Sequence, residues 1–535
     1  MRRFSTKYLI LAIIILLSIL GGILDIYATT NGPWGYNDPV EYIATAHSLD
    51  AGQGLGYVQG DGGFSPIRIH PPFYSLLLAA IGLFTGNLIV ASRWLNIGAF
   101  VACIFLAGWI FYRYSRAPVL GILTSAFLLI FPNMIWMFSS AYSEPLFILL
   151  ILSGGLCLVA YLRKERIVLL ITSAILIGLI AITRYAGIAM IGAGAISVLL
   201  FTSGGKWIQI RKALLFGLLA SLPVVVWLIW IYFSSAHSLG GRHIGLDWEG
   251  LAAHFKTFRE IFIPGVEMWI PQSNKLALTY RIRMSLEGAG LVGILALSIW
   301  AIVRLRKRSI SEGNCSDKSI FTFFSLSAFF FVAILLLTYL FTRPVIDIDN
   351  RMLLPLFVCC VLTLYGAIAL WQAAWTRGWN LAFQFLAWLV AALCLVWYIP
   401  QTHAKVIQYH EGDGFTTYYW GHSQIIQAVS ALPKNQPVIS NDWQLLLLWT
   451  GRPVYGMWVS FPDTRPIQTT PYGTLQSDRA QVVFCSQGAA LVILNDFLSQ
   501  LRSNVGDIPD NQIQNLFRRL KVYGTYPDGK IYLCP

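Results

Sequence analysis

Charge is what this chain lacks most. Of its 535 residues only 12% are Asp, Glu, Lys or Arg, and acids are the rarer sign, 25 against 38 bases. Soluble globular proteins carry about a quarter charged residues, so a soluble fold is excluded; 56% hydrophobic content suits a polytopic membrane protein. The eight cysteines form no CxxC pair and no Cys/His spacing, which removes the common zinc modules. Most of them fall in apolar runs and read as small packing residues. Cys485 and Cys534 lie in a more polar region, and a disulfide between them is open if that region faces an oxidising compartment. No solenoid repeat period is visible. The stretch "GQGLGYVQGDGGFSP" is no dinucleotide fingerprint, because no strand precedes it and no βαβ unit surrounds it; it reads as a flexible loop.

What is present is a series of long apolar runs separated by short basic tracts. A net charge of +13 could point to nucleic acid. The bases, however, gather in "MRRFSTK", "YRYSR", "RKER", "KWIQIRK" and "RLRKRS", the pattern of cytoplasmic loops under the positive-inside rule. No nucleic-acid partner is expected. About 20 apolar residues cross a bilayer as a helix. The run from Tyr8 to about Ile26 follows Arg2, Arg3 and Lys7, which places the N-terminus in the cytoplasm. A cleaved signal peptide is the alternative, but the run is long for one and lacks a small-x-small cleavage site.

Further spans are expected near 88–112, 117–137, 144–162, 167–183, 186–203, 213–233, 286–303, 319–341, 352–371 and 379–400. That makes about eleven transmembrane helices, an odd number, which puts the C-terminus opposite the N-terminus and every basic tract inside. Residues 27–87 form a large first external loop, and 234–285 a second one with "DWEGLAAHFKTFREIF". The piece from Phe73 to Phe84 is short for a span and suits the membrane interface. Residues 401–535 change character: "PVIS", "GRPVYGM", "AALVILNDF" and "GKIYLCP" read as strands, and "DNQIQNLFRRLK" as a helix. The expected fold class is therefore a membrane all-α domain, 1–400, with a small extracytoplasmic α/β domain, 401–535.

Polar residues cluster at the expected external ends. In "GYNDPVEYIATAHSL", Asp38 and Glu41 share a helix face. Asp38 followed by Pro39 fits an N-cap with Pro at the first helical position, with Glu41 as capping-box partner; capping and catalysis need not exclude one another. Glu144 opens a span in "SSAYSEPLFILL", where the helix dipole alone would favour it. Arg184 sits at an abrupt turn in "ITRYAG", and Arg351 starts a span in "DIDNRMLLP". Either arginine could simply snorkel. Together with Arg242, His243 and His70 they could equally form an electropositive site suited to phosphate.

These segments carry a resemblance. Asp38, Tyr42, Ala46 and Leu49, followed by "GQGLGY", resemble the first external loop of the GT-C superfamily of membrane glycosyltransferases. "HPPFYSLLLA" is similar to the Pro-Pro motif of protein O-mannosyltransferases and aminoarabinose lipid A transferases, and "SEPLFILL" to their second acidic motif. "TRYAG" and "NRMLLPLF" match further segments. The resemblance spans roughly residues 5–400 in order and spacing. It departs at His70, which stands where the aminoarabinose enzymes have Lys, as in the mannosyltransferases.

The resemblance implies a multi-pass plasma (inner) membrane glycosyltransferase. It would take a polyprenyl-phosphate-linked hexosyl or pentosyl donor to a lipid, glycan or protein acceptor on the extracytoplasmic face. By it, Asp38 matches the catalytic acid and Glu144 the second acidic position. We expect Asp38 as general base in an inverting displacement, and His70, Arg184, Arg351, Arg242 and Tyr42 toward the lipid phosphate or substrate. Glu41 supports them. If a divalent metal ion takes part, Asp38 and Glu144 would hold it; no organic cofactor is expected. Two other classes remain open: a lipid-linked sugar transporter or flippase, and a membrane scaffold whose outer domain binds a partner. Transporters tend to carry charges in broken helices at mid-membrane and to show repeats, neither of which is evident.

Overall fold

The computed structural model describes residues 2–60, 62–234, 243–244, 251–267, 269, 312–343, 348–374, 377–457, 487–500 and 520–533. The apolar runs fold as helices because a spanning segment must satisfy its backbone polar groups internally. Among the described residues six helices are long and apolar enough to cross a bilayer: Thr6–Ala28, Leu88–Tyr114, Glu144–Lys164, Lys206–Ser234, Asp317–Phe341 and Asn350–Gln372. A seventh span results if Leu120–Ile130 and Pro132–Phe138, bent by 65°, count as one. Pro132 opens the second piece, where its missing N–H breaks the ladder.

The expected count of about eleven is thus met only in part. The run at 167–183 forms a helix of 15 residues, Ile167–Ala181, and the run at 186–203 one of 14, Ile188–Phe201. Both are shorter than a perpendicular crossing requires. The helix Arg377–His410 covers the run at 379–400, while 286–303 lies outside the described residues. Phe73–Thr85 and Leu251–Glu267 are helical, as their patterns predict.

The chain divides into two compact units. The first comprises Met1–Ala28, Arg68–Tyr74 and Trp94–His410; the second comprises Thr29–Ile67, Ser75–Arg93 and Glu411–Pro535. In the first unit, Glu144–Lys164 and Asn350–Gln372 are the most enclosed of the long helices and Lys206–Ser234 the least. Two-residue strands β3 (His243–Ile244) and β4 (Thr342–Arg343) pair antiparallel there.

The second unit joins the first loop to the C-terminal region. Strands β1 (Gly56–Val58) and β2 (Phe64–Pro66) make an antiparallel hairpin. A five-stranded sheet has β5 (Val438–Ser440) between β6 (Val454–Gly456) and β7 (Ala490–Leu494), all parallel. β9 (Gly529–Leu533) then runs antiparallel to β7 and to β8 (Lys521–Tyr526). Ile425 and Val429 from the helix Gln424–Ala431 pack with Leu445, Val492 and Ile531 to form its core. The strand readings of "PVIS", "GRPVYGM", "AALVILNDF" and "GKIYLCP" match β5, β6, β7 and β9. The helix read in "DNQIQNLFRRLK" lies outside the described residues, as do Cys485 and Cys534.

Candidate active site

In the first unit the sequence builds one charged centre. Glu144 is the first residue of its helix, with Ser143 at the cap position and Pro145 in the first turn, and it has no exposed surface. A buried carboxylate requires counter-charge. Two arginines supply it: Nη1 of Arg184 stands 2.7 Å from Oε1 of Glu144, and Nε of Arg351 stands 3.3 Å from the same oxygen. Arg351 also pairs with Asp349 at 3.2 Å, and its guanidinium lies 4.5 Å from the ring centroid of Tyr142. Arg184, from the turn after Ile167–Ala181, and Arg351, from the start of Asn350–Ala374, therefore converge on Glu144.

Local chemistry fixes each approach. Arg184 has extended backbone between Ile167–Ala181 and the single 3-10 turn Tyr185–Gly187. The glycine of "TRYAG" is required there, because a Cβ on Gly187 would meet the Ile180 carbonyl oxygen at 2.6 Å. The His70-Pro71-Pro72 segment is strapped across the same turn. Tyr185 donates its hydroxyl to the Arg68 carbonyl at 3.1 Å, and the Phe73 N–H donates to the Ile182 carbonyl at 3.0 Å. Trp227 donates to the Tyr185 hydroxyl at 3.0 Å.

The linker before Glu144 is held from two directions. Asn96 donates from Nδ2 to the Ser140 and Tyr142 carbonyls at 2.5 and 3.3 Å. Tyr74, from "HPPFY", reaches Asn96 Oδ1 at 3.5 Å, and Ser139 donates to the buried carboxylate of Asp25 at 2.7 Å. Sequence reading missed Asn96 and Asp25. An Asp within an apolar run is itself a signal, and Asp25 carried it; a lone Asn in a span gave none.

The second unit carries Asp38, Glu41 and Tyr42 on the helix Asp38–Asp50. Here the capping expectation is corrected. Asn37 occupies the cap position at φ 31°, ψ −92°, a positive-φ conformation outside the αL region, and no side-chain cap bond forms. Asp38 is instead the first helical residue. Tyr42 and Ala46, at i+4 and i+8 from Asp38, are fully buried, which gives the Asp-x-x-x-Tyr-x-x-x-Ala spacing a packing reason. Burial, then the charge of Asp38, pushes the Glu41 carboxyl up to about 7, partly offset by its hydrogen bond with Tyr57. The segment ahead of this helix is clamped: Tyr36 donates to Asp413 at 2.7 Å, Trp34 donates to the same carboxylate at 3.3 Å, and Gly35 bridges Gly414.

Arg242 lies outside the described residues. Among the described residues no group of three or more His, Cys, Asp or Glu comes together that could hold a metal ion. Oε1 of Glu144 faces two guanidiniums, so the protein itself supplies counter-charge to this carboxylate.

Solved structures with this architecture exist. ArnT from Cupriavidus metallidurans bound to undecaprenyl phosphate aligns over 97% of this chain and 97% of its own, at a TM-score of 0.54 and 11% identity. The Archaeoglobus fulgidus oligosaccharyltransferase, in complex with Zn and sulfate, aligns over 97% of this chain and 73% of its own, at a TM-score of 0.52 and 11% identity. The fold is that of the GT-C glycosyltransferases. In sequence, no family model and no curated protein matches the chain. Within the GT-C fold, then, the chain places a buried Glu at one helix start under two arginines, and an Asp–Glu pair at another.

Proposed function

We propose that the chain transfers a sugar from a polyprenyl-phosphate-linked donor to an acceptor hydroxyl on the extracytoplasmic face of the plasma membrane. The observation that carries this reading is the pair of arginines held on a fully buried glutamate, in a fold shared with a protein solved holding undecaprenyl phosphate. A polyprenyl phosphate is already a competent leaving group, so no strong acid is needed. The reaction needs cations where phosphate charge develops and a carboxylate that accepts the acceptor's proton, an effect of roughly 10²–10⁴-fold.

The displacement is single and inverting. The acceptor oxygen forms its bond to the anomeric carbon as the carbon–phosphate-oxygen bond breaks, the phosphate leaves with the electron pair, and Asp38 takes the proton. Arg184 and Arg351 receive the phosphate charge; His70, on the strapped Pro-Pro turn, assists. Glu144 holds the two guanidiniums apart and in place and orients the acceptor. Protein, lipid and glycan all remain candidate acceptors. The test is Asp38→Asn in protein shown to insert normally: transfer should fall by about 10²–10⁴-fold. Full activity in that variant would remove Asp38 as the base.

A further inference from the structure

The glycine-rich loop reads from sequence as a flexible connection, yet it is seated on the C-terminal sheet region within the second unit. Trp443, first residue of the helix Trp443–Thr450, faces two glycines. A Cβ on Gly60 would stand 3.1 Å from its indole, and a Cβ on Gly456 would stand 3.2 Å away. Beneath the ring the Gly456 N–H donates to the Gly60 carbonyl at 2.7 Å. Gly62, at φ +76°, lies so close to the Tyr455 ring that a Cβ would meet it at 2.4 Å. Gly60 and Gly62 let the turn that joins β1 and β2 come close to the Trp443 and Tyr455 rings. The hairpin carries Tyr57, whose side chain packs with Ala44, Leu447 and Trp443 and hydrogen-bonds Glu41. Glu41 lies one helical turn from Asp38.

From this chain of contacts we infer that the C-terminal domain is a working part of the transferase: Trp443 seats the hairpin, and Tyr57 then holds Glu41 and sets the Asp38 helix turn. Trp443 and Tyr57 are positioning residues, since both act through Asp38. The helix Trp443–Thr450 brings no charged side chain to this contact, so packing and one hydrogen bond carry the link. The inference rests on the proposed transferase reading.

The experiment measures transfer of labelled sugar from a polyprenyl-phosphate donor by the full chain in membranes, for Tyr57→Phe, Trp443→Ala and Trp443→Phe, alongside melting of the purified proteins. Tyr57→Phe keeps the ring and its packing, so it tests the link even where Trp443→Ala fails to fold. Its kcat should drop about tenfold with donor KM unchanged, and its melting temperature should fall only modestly, as for the loss of one hydrogen bond. Trp443→Ala should lose kcat similarly, and Trp443→Phe should recover most of it. Wild-type kcat in Tyr57→Phe would overturn the inference while leaving the transferase reading intact. A wild-type chain that transfers nothing would overturn the transferase reading and the inference together.

Discussion

Glu144 sits where an ionised carboxylate is hardest to keep, at the start of one of the most enclosed helices, and it is kept because Arg184 and Arg351 both reach Oε1. Removing the acid leaves two largely buried guanidiniums without it, and breaking a buried pair costs about 3–5 kcal/mol. Glu144→Ala should therefore lower thermal stability in detergent far more than an exposed substitution such as Lys434→Ala. The residue scale also sets a pH dependence in the second unit. Burial and the neighbouring Asp496 push Asp442 up to about 8, and Glu41 is raised to about 7. A carboxyl raised in the folded state binds more protons than in the unfolded chain, so its contribution is full in acid and lost as pH rises through the folded value. The unit should lose stability between about pH 4 and 8, and Asp442→Asn should flatten that slope in melts followed by tryptophan fluorescence. Glu144, Arg184 and Arg351 were each legible in the sequence. Their gathering at one face was expected, but the ion pairs of both arginines with Oε1 of Glu144 were not, because the partners are 40 or more positions apart and no local pattern records such a contact.

Elements were easier to read than their junctions. Long apolar runs became helices, and short β-branched runs became strands β5, β6, β7 and β9. The count of about eleven spans is met in part: among the described residues Pro132 bends one helix pair by 65°, and the helices on either side of Arg184 are short. Composition registers length and apolarity, whereas these breaks depend on single residues. The start of the Asp38 helix was misread by one position, because Asp-Pro is a good local cap but Asn37 makes the positive-φ turn at the cap position instead. That turn follows the Gly35–Gly414 clamp. Gly414 has φ +87°, and a Cβ there would stand 2.6 Å from the Gly35 carbonyl oxygen. Gly414→Ala should cost about 1–3 kcal/mol, with proteolysis of the first loop accelerating in step; an unchanged digestion rate would mean that the clamp bears no load.

At the scale of the whole molecule, scarce charge and regular apolar runs announced a polytopic membrane protein, and the ordered motifs pointed to the GT-C fold that the solved structures share. What composition did not convey is that the first loop and the C-terminal region form one compact unit, since that grouping rests on contacts such as Tyr36 with Asp413, 377 positions apart. Group transfer is the property that separates a transferase from a transporter in this fold. Membranes containing the chain, incubated with a labelled polyprenyl-phosphate sugar, should move the label covalently onto an acceptor and leave unlabelled polyprenyl phosphate behind, and Asp38→Asn membranes should not. Label that crosses the bilayer still attached to its lipid, with no acceptor product, would identify a transporter and contradict the account.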